Sequence, residues 1–365
     1  MRAAAILAML ACGMTLAMWM RLAPSPEFAS LTPGLGLVAG SLAAGLLIDR
    51  GKRKAALVGG LALLCASLWY VAAAPWYVAA TAGPLPWFRL GAAALGLGGG
   101  MAFLAANATM AASATGSRAA ALNLLHLLPP VGVFSISVLS ARTVTVAAAL
   151  LAALALGVAV WKPMPAGALA QGAKAETAAR RGGTVLLVLA LLLFLYAIGE
   201  AATWNWMVGY LDAARVLDQE TTRLILSTAF PLGLVVGRIG ISRILRNVAP
   251  ITVARMASFA MAFTTALMLL ARSPSASWVG GFAVGVAMAA ILPTVLGAAY
   301  DALPRWPATG MGVVLATGWI GLAASSPLIV QIADRSSLLT AMLALPVVSL
   351  GMGLLAMGVG RSRSV

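Results

Sequence analysis

Twelve apolar runs follow one another along this chain, each close to the length a helix needs to cross a bilayer, and that succession leaves few folds open. They fall near residues 3–20, 29–48, 55–73, 85–111, 119–140 and 143–161, then near 184–206, 221–238, 250–271, 277–299, 309–330 and 338–359. A polytopic, all-α membrane protein of twelve transmembrane helices is expected. Composition agrees, since 62% of the residues are apolar and 9% charged. Nine carboxylates and 24 Lys/Arg cannot cover the surface of a soluble globule of this length. The same composition excludes a disordered chain and a disulfide-stapled secreted module. Cys12 and Cys65 both fall inside apolar runs and match no metal spacing.

A net charge of +15 raises the question of nucleic acid. A nucleic-acid binder gathers its basic residues on one solvated face. Here they stand in short clusters between apolar runs, as in Asp49-Arg50-Gly51-Lys52-Arg53-Lys54, Arg180-Arg181, and Arg238, Arg243 and Arg246. Short basic loops read as cytoplasmic anchors. If the N-terminus is inside and the helices alternate, 16 Lys/Arg fall on the inner side and seven on the outer, with Arg255 left within a helix. Both termini are therefore expected in the cytoplasm and the protein in a bacterial-type inner membrane, with the lipid bilayer and no nucleic acid as partner. The first apolar run continues past Cys12 without a small-residue cleavage site, so it reads as a retained helix rather than a signal peptide.

The stretch Lys162–Gly183, with Pro163, Pro165 and the Lys174, Arg180 and Arg181 charges, is long and polar. It predicts a cytoplasmic linker (162–183) between an N-terminal six-helix bundle (1–161) and a C-terminal one (184–365). Each half also places a glycine and basic residues after its second helix, Gly45 to Lys54 and Gly237-Arg238 through Arg246, with the two glycines 192 residues apart. Such internal symmetry is expected of two parallel six-helix repeats.

These residues resemble the major facilitator superfamily. Gly45-Leu46-Leu47-Ile48-Asp49-Arg50-Gly51-Lys52-Arg53-Lys54 is similar to that family's loop between helices two and three, with Lys52 where its second glycine is expected. Arg89-Leu90-Gly91 through Gly98-Gly99-Gly100 is similar to its fourth-helix pattern of an arginine followed by glycines. Ala121-Leu122-Asn123-Leu124-Leu125-His126 with Gly132, and Tyr196, Glu200, Trp206 and Tyr210-Leu211, resemble the fifth and seventh helices of the fucose-permease-like, sugar-type branch. The departures are Ser137 where a proline is usual and Gly199 one place late. The resemblance implies two pseudo-symmetric bundles working by alternating access. It also implies a gating motif of Gly45, Asp49, Arg50, Arg53, Lys54, Gly237 and Arg238, and a pathway residue at Arg89.

Glu200 is the carboxylate placed well inside a run, and a charge at such depth usually faces a cavity and marks a pathway. Tyr196, Glu200, Thr203/Trp204 and Met207 recur on one helical stripe. A proton carrier and a structural carboxylate tied to a partner are both open for Glu200. Asn123 and His126 share a helix face, and His126, the sole histidine, is either a proton or solute ligand or a solvated residue near a helix end. Asn107 stands among small residues, where interhelical hydrogen bonding competes with ligand contact. Trp204 and Trp206 flank Asn205; Trp204 lies on the Glu200 stripe as a solute platform, whereas Trp206 reads rather as an interfacial anchor. Asp49 at a helix end can accept hydrogen bonds from an arginine or from a neighbouring helix N-terminus, latching the halves together.

The expected function is secondary transport of a small polar solute, sugar-like or another metabolite, by proton symport; proton-antiport efflux of drugs or metabolites is the alternative. One histidine and one deep carboxylate are too few for an intramembrane catalytic constellation, so no enzyme is expected, and no cofactor, metal or obligate protein partner.

Overall fold

Prolines decide where the apolar runs break. The computed structural model describes residues 1–22, 26–73, 86–163, 175–214 and 216–361, and among them it holds fifteen helices. The first seven are α1 (Arg2–Leu22), α2 (Pro26–Asp49), α3 (Arg53–Ala73), α4 (Pro86–Ala112), α5 (Arg118–Leu125), α6 (Leu128–Val138) and α7 (Ala141–Trp161). The remaining eight are α8 (Ala175–Ala213), α9 (Gln219–Ile244), α10 (Pro250–Leu269), α11 (Pro274–Met288), α12 (Ile291–Ala302), α13 (Pro307–Arg335), α14 (Leu338–Met342) and α15 (Ala344–Arg361). Three of the twelve expected spans are each split in two: α5–α6, α11–α12 and α14–α15. Proline lacks the N–H that bonds the carbonyl four residues back, and its ring crowds that carbonyl. Pro129 and Pro130 thus release Leu125 and His126, Pro293 releases Ala289, and Pro346 releases Met342, each at one of the observed breaks. Counting each split pair as one crossing recovers twelve.

Ten stretches among the described residues are long and apolar enough to cross a membrane. The other two crossings are α2, whose Pro33–Asp49 stretch is apolar but shorter, and the broken α5–α6 pair. The fold is all-α and multi-pass. One boundary differs from expectation: α8 begins at Ala175, so residues 175–183 of the expected linker are already helical. Alanine, glutamate and arginine there are good helix formers, whereas Pro163 and Pro165 precede them. Residues 164–174 of the linker lie outside the described residues.

The two sets of helices repeat one packing scheme. α2 packs on α4 as α9 packs on α11, α3 on α7 as α10 on α15, α1 on α7 as α8 on α15, and α1 on α6 as α8 on α13. The first pairing rests on glycines in both halves. Gly36 and Gly40 meet the α4 backbone at Ala93 and Leu97, and Gly233 meets the α11 backbone at Phe282 and Val286, each at distances no side chain would fit. Contacts from one set to the other run mainly through α2–α13, α5–α12 and the α5/α6–α9 pair. Alternation is visible at one end. There the Arg2 side chain donates to the Ser113 carbonyl, and Lys54 Nζ donates to the Val160 carbonyl at 2.8 Å. The start of α1 therefore lies with the end of α4, and the start of α3 with the end of α7.

Candidate functional site

The break between α5 and α6 builds the centre of the site. Pro130 cannot donate to His126 O, and that free carbonyl accepts instead from Nη1 of Arg238, reaching across from α9. Arg238 is 3% exposed and sits six residues, or about 9 Å, inside the end of its helix. The sequence reading ended this helix at Arg238 and assigned it, with Gly237, to a basic loop; the structure corrects both. Gly237 packs against Val286 of α11 and against Ala289 just beyond it, and the helix continues through Ile239, Gly240 and Ile241 to Ile244. The apolar residues Ile239 and Ile241 after Arg238 are the sequence signal for a helix that continues past it.

His126 is fully buried, not solvated at a helix end. Its Nε2 lies 2.8 Å from Asn107 Oδ1, and its ring stands edge-on to Phe103 at 5.4 Å. Asn107 Nδ2 donates to Phe103 O at 2.9 Å, which turns Oδ1 toward the histidine. Nε2 therefore carries the hydrogen, and in the neutral ring Nδ1 is a bare lone pair, buried without a partner. Asn107 is thus an interhelical ligand of His126. Asn123, also fully buried, donates to Thr294 of α12 at 3.1 Å and to Ala119 O at 2.8 Å, leaving Oδ1 unpartnered.

From the other side α8 presents its stripe. Tyr196 is 1% exposed, and its hydroxyl lies near Glu200 and Arg238 without reaching hydrogen-bond geometry. Glu200 is half-buried. Trp204 stands edge-on to Phe230 at 4.7 Å, and Met207 is fully buried. Asn205 is half-buried. Trp206, read as an interfacial anchor, is half-buried and donates from its indole to Ser326 Oγ of α13 at 3.4 Å. Arg238 and Glu200 feel each other's charge but do not touch: among the described residues, the ion pair within 4.0 Å is Arg118–Asp301. Arg89 does not join the cluster. It is exposed, 18 residues and so about 27 Å along α4 from Asn107.

A second centre lies where α2 ends. Asp49 accepts from the backbone N–H groups of Ala308 (3.1 Å) and Thr309 (2.7 Å), donors of the first turn of α13 that have no acceptor within the helix. A side chain at Gly45 would meet Ala308 O at 2.9 Å, so only glycine lets α13 approach this closely. Gly51 turns the chain after Asp49 with φ of 81°, a left-handed conformation that glycine adopts freely. Arg50 and Lys54 are exposed, and Arg53 is half-buried with Nε unpartnered. Beside them Arg118 pairs with Asp301 at 2.5 Å and lies over the Tyr300 ring at 5.3 Å. Sequence reading missed Asp301, Phe103, Phe230, Thr294 and Trp319, whose indole donates to Ser41 Oγ across α2–α13 at 3.0 Å. Each is ordinary in its own run, and only the neighbouring helix makes it part of the site.

No protein-family model and no curated protein matches the chain. Solved structures do match it over nearly its whole length. FucP in the outward conformation has a TM-score of 0.74 at 15% identity, covering 98% of this chain and 97% of that one. The human organic anion transporter MFSD10 has a TM-score of 0.76 at 14% identity, covering 97% and 98%. The proton:xylose symporter XylE has a TM-score of 0.71 at 12% identity, covering 96% and 93%. At these identities the likeness is one of architecture: the chain has the fold of the major facilitator superfamily transporters, the fucose-permease branch among them.

Proposed function

We propose that this protein is a secondary active transporter that moves a small polar solute with protons by alternating access, with both termini and the 162–183 linker in the cytoplasm. The observation that carries the reading is the Glu200–Arg238 pair. Two opposite charges sit deep in the span, near enough to interact and too far apart to neutralise each other by contact, and Arg238 is tethered to His126 on the opposite set of helices. A carboxylate in such a place takes up or releases its proton as the charge beside it changes, which couples proton movement to solute binding. The positive-inside arrangement puts Asp49, Arg118 and Asp301 at the cytoplasmic face. On that arrangement the α2–α13 contact at Asp49 acts as a latch that closes the cytoplasmic side. Breaking the latch exposes the other access. FucP, described as a fucose:proton symporter, and XylE share this architecture.

Glu200→Gln tests the proposal, because glutamine keeps the shape and cannot ionise. In proteoliposomes the variant should lose uphill, pH-driven accumulation of substrate and retain exchange across the membrane, which needs no net proton movement. His126→Ala is the control, and that phenotype in it alone moves the coupling site to α5. Undiminished pH-driven accumulation by Glu200→Gln removes Glu200 from the proton path.

A further inference from the structure

Resting on that reading, we infer that the solute is a small hydroxylated carboxylate, whose carboxylate is the missing counter-charge of Arg238. Arg238 is buried and positively charged, and among the described residues no carboxylate lies within 4.0 Å of it. A buried charge without a contacting partner is strongly unfavourable, and a neutral solute would leave it so. One Nη of the guanidinium is taken by His126 O, whereas Nε–H, on another edge, has no partner. That edge is the one that receives a carboxylate in a forked, charge-assisted contact.

Two further buried polar atoms have no partner, His126 Nδ1 and, one helical turn before it, Asn123 Oδ1. Buried polar groups are seldom left so, and their types specify what is absent. The histidine lone pair and the amide oxygen accept, and a carboxylate alone has nothing to offer them. Hydroxyl groups beside the carboxylate do, since each can donate to one of them. A cationic solute meets the like charge of Arg238. Glu200 completes the charge account: with the anion on Arg238, the site returns to neutrality when Glu200 holds a proton, so one anion enters with one proton. Other titratable or charged groups facing this pair are His126 from α5 and Tyr196 from α8 itself. Thr317 and Ser325 of α13, packed on α8, donate to the Ala190 and Ile198 carbonyls, and Thr294 of α12 accepts from Asn123.

The test is binding to the purified full-length protein in detergent at fixed pH and ionic strength, read as a concentration-dependent rise in thermal midpoint. The probes are gluconate, glucuronate and lactate, with glucose and lactamide as their neutral counterparts. At least one of the acids should stabilise the protein, and the neutral compounds should not. Arg238→Gln should weaken that acid at least ~10-fold, the scale of a lost charge-assisted hydrogen bond. Arg238→Lys, which keeps the charge and loses Nε, should weaken it less. Should Arg238→Gln fail to fold, the native comparison of acids with neutral counterparts still decides. The inference is overturned if glucose or lactamide binds as well as its acid, if none of the acids binds, or if Arg238→Gln binds at native strength. Glutamine stands in for the protonated carboxyl, so Glu200→Gln should bind the acid with an affinity that no longer changes with pH. A protein that accumulates glucose on a pH gradient and ignores the acids keeps its transport function and loses this substrate class.

Discussion

The site is held at residue scale by a short relay of hydrogen bonds, Phe103 O to Asn107 to His126, with the His126 carbonyl passed on to Arg238. Each link sets the role of the next, since the backbone carbonyl orients the amide and the amide selects the histidine tautomer. Asn107→Leu keeps the volume and strips His126 Nε2–H of its acceptor in a fully buried place, which should cost about 1–3 kcal/mol. A lower thermal midpoint of the purified protein is the expected result. Adding His126→Leu removes the stranded donor and should restore most of the loss, because replacing both partners by apolar groups is close to neutral. If the double variant is as unstable as the sum of two single losses, the relay is not a unit. Asn107 and His126 were legible in the sequence as polar residues in apolar runs. That they bond each other was not, because their helices are adjacent only in the folded bundle.

At the scale of elements, prolines do the shaping. Pro130 frees the His126 carbonyl and so gives α9 a partner for its buried arginine. Pro130→Ala restores an N–H at the position that bonds His126 O in a continuous helix. The carbonyl should then be contested, the guanidinium should lose its tether, and transport should fall severalfold. Circular dichroism should show helix content unchanged or slightly higher. Native transport rates in this variant mean that the tether is incidental. The prolines are plain in the sequence, yet Pro33, Pro231 and Pro327 lie inside α2, α9 and α13 without splitting them. Whether a proline breaks a helix or is absorbed depends on what the neighbouring helices offer the freed carbonyl.

For the whole molecule, alternating access turns on contacts between the two sets of helices. Asp49 joins the end of α2 to the N-terminus of α13, where a carboxylate is stabilised by roughly 0.3–1 kcal/mol at an exposed site and by up to ~2 kcal/mol when partly buried. Asp49→Asn should leave the amount of folded protein unchanged and slow transport, since it removes a charge that favours one state and no core packing. A native transport rate reduces the loop to a topology anchor. The Arg118–Asp301 pair beside it is exposed and worth little alone. Topology has its own test, because the 16-to-7 distribution of basic residues predicts that the linker faces the cytoplasm. A cysteine introduced at Ala168, which lies outside the described residues, should resist impermeant thiol reagents in intact cells. Efficient labelling from outside inverts the arrangement.

Run length, run number and the basic loops were enough to determine an all-helical bundle of twelve crossings, because in a bilayer each span must satisfy its own backbone and loop charge orients it. The same patterning placed Glu200, Tyr196 and Trp204 on one face and marked Asp49 as unexplained by topology alone. Tertiary structure decided what those residues meet. It moved Arg238 from an expected loop into the buried centre, left Arg89 outside it, turned Trp206 inward to Ser326, and set Asp49 on the first turn of α13. The physical reason is that a local pattern reports which solvent a residue faces and how its own helix is built. A buried charge derives its meaning from its partners, and here those partners come from helices more than a hundred residues away in sequence.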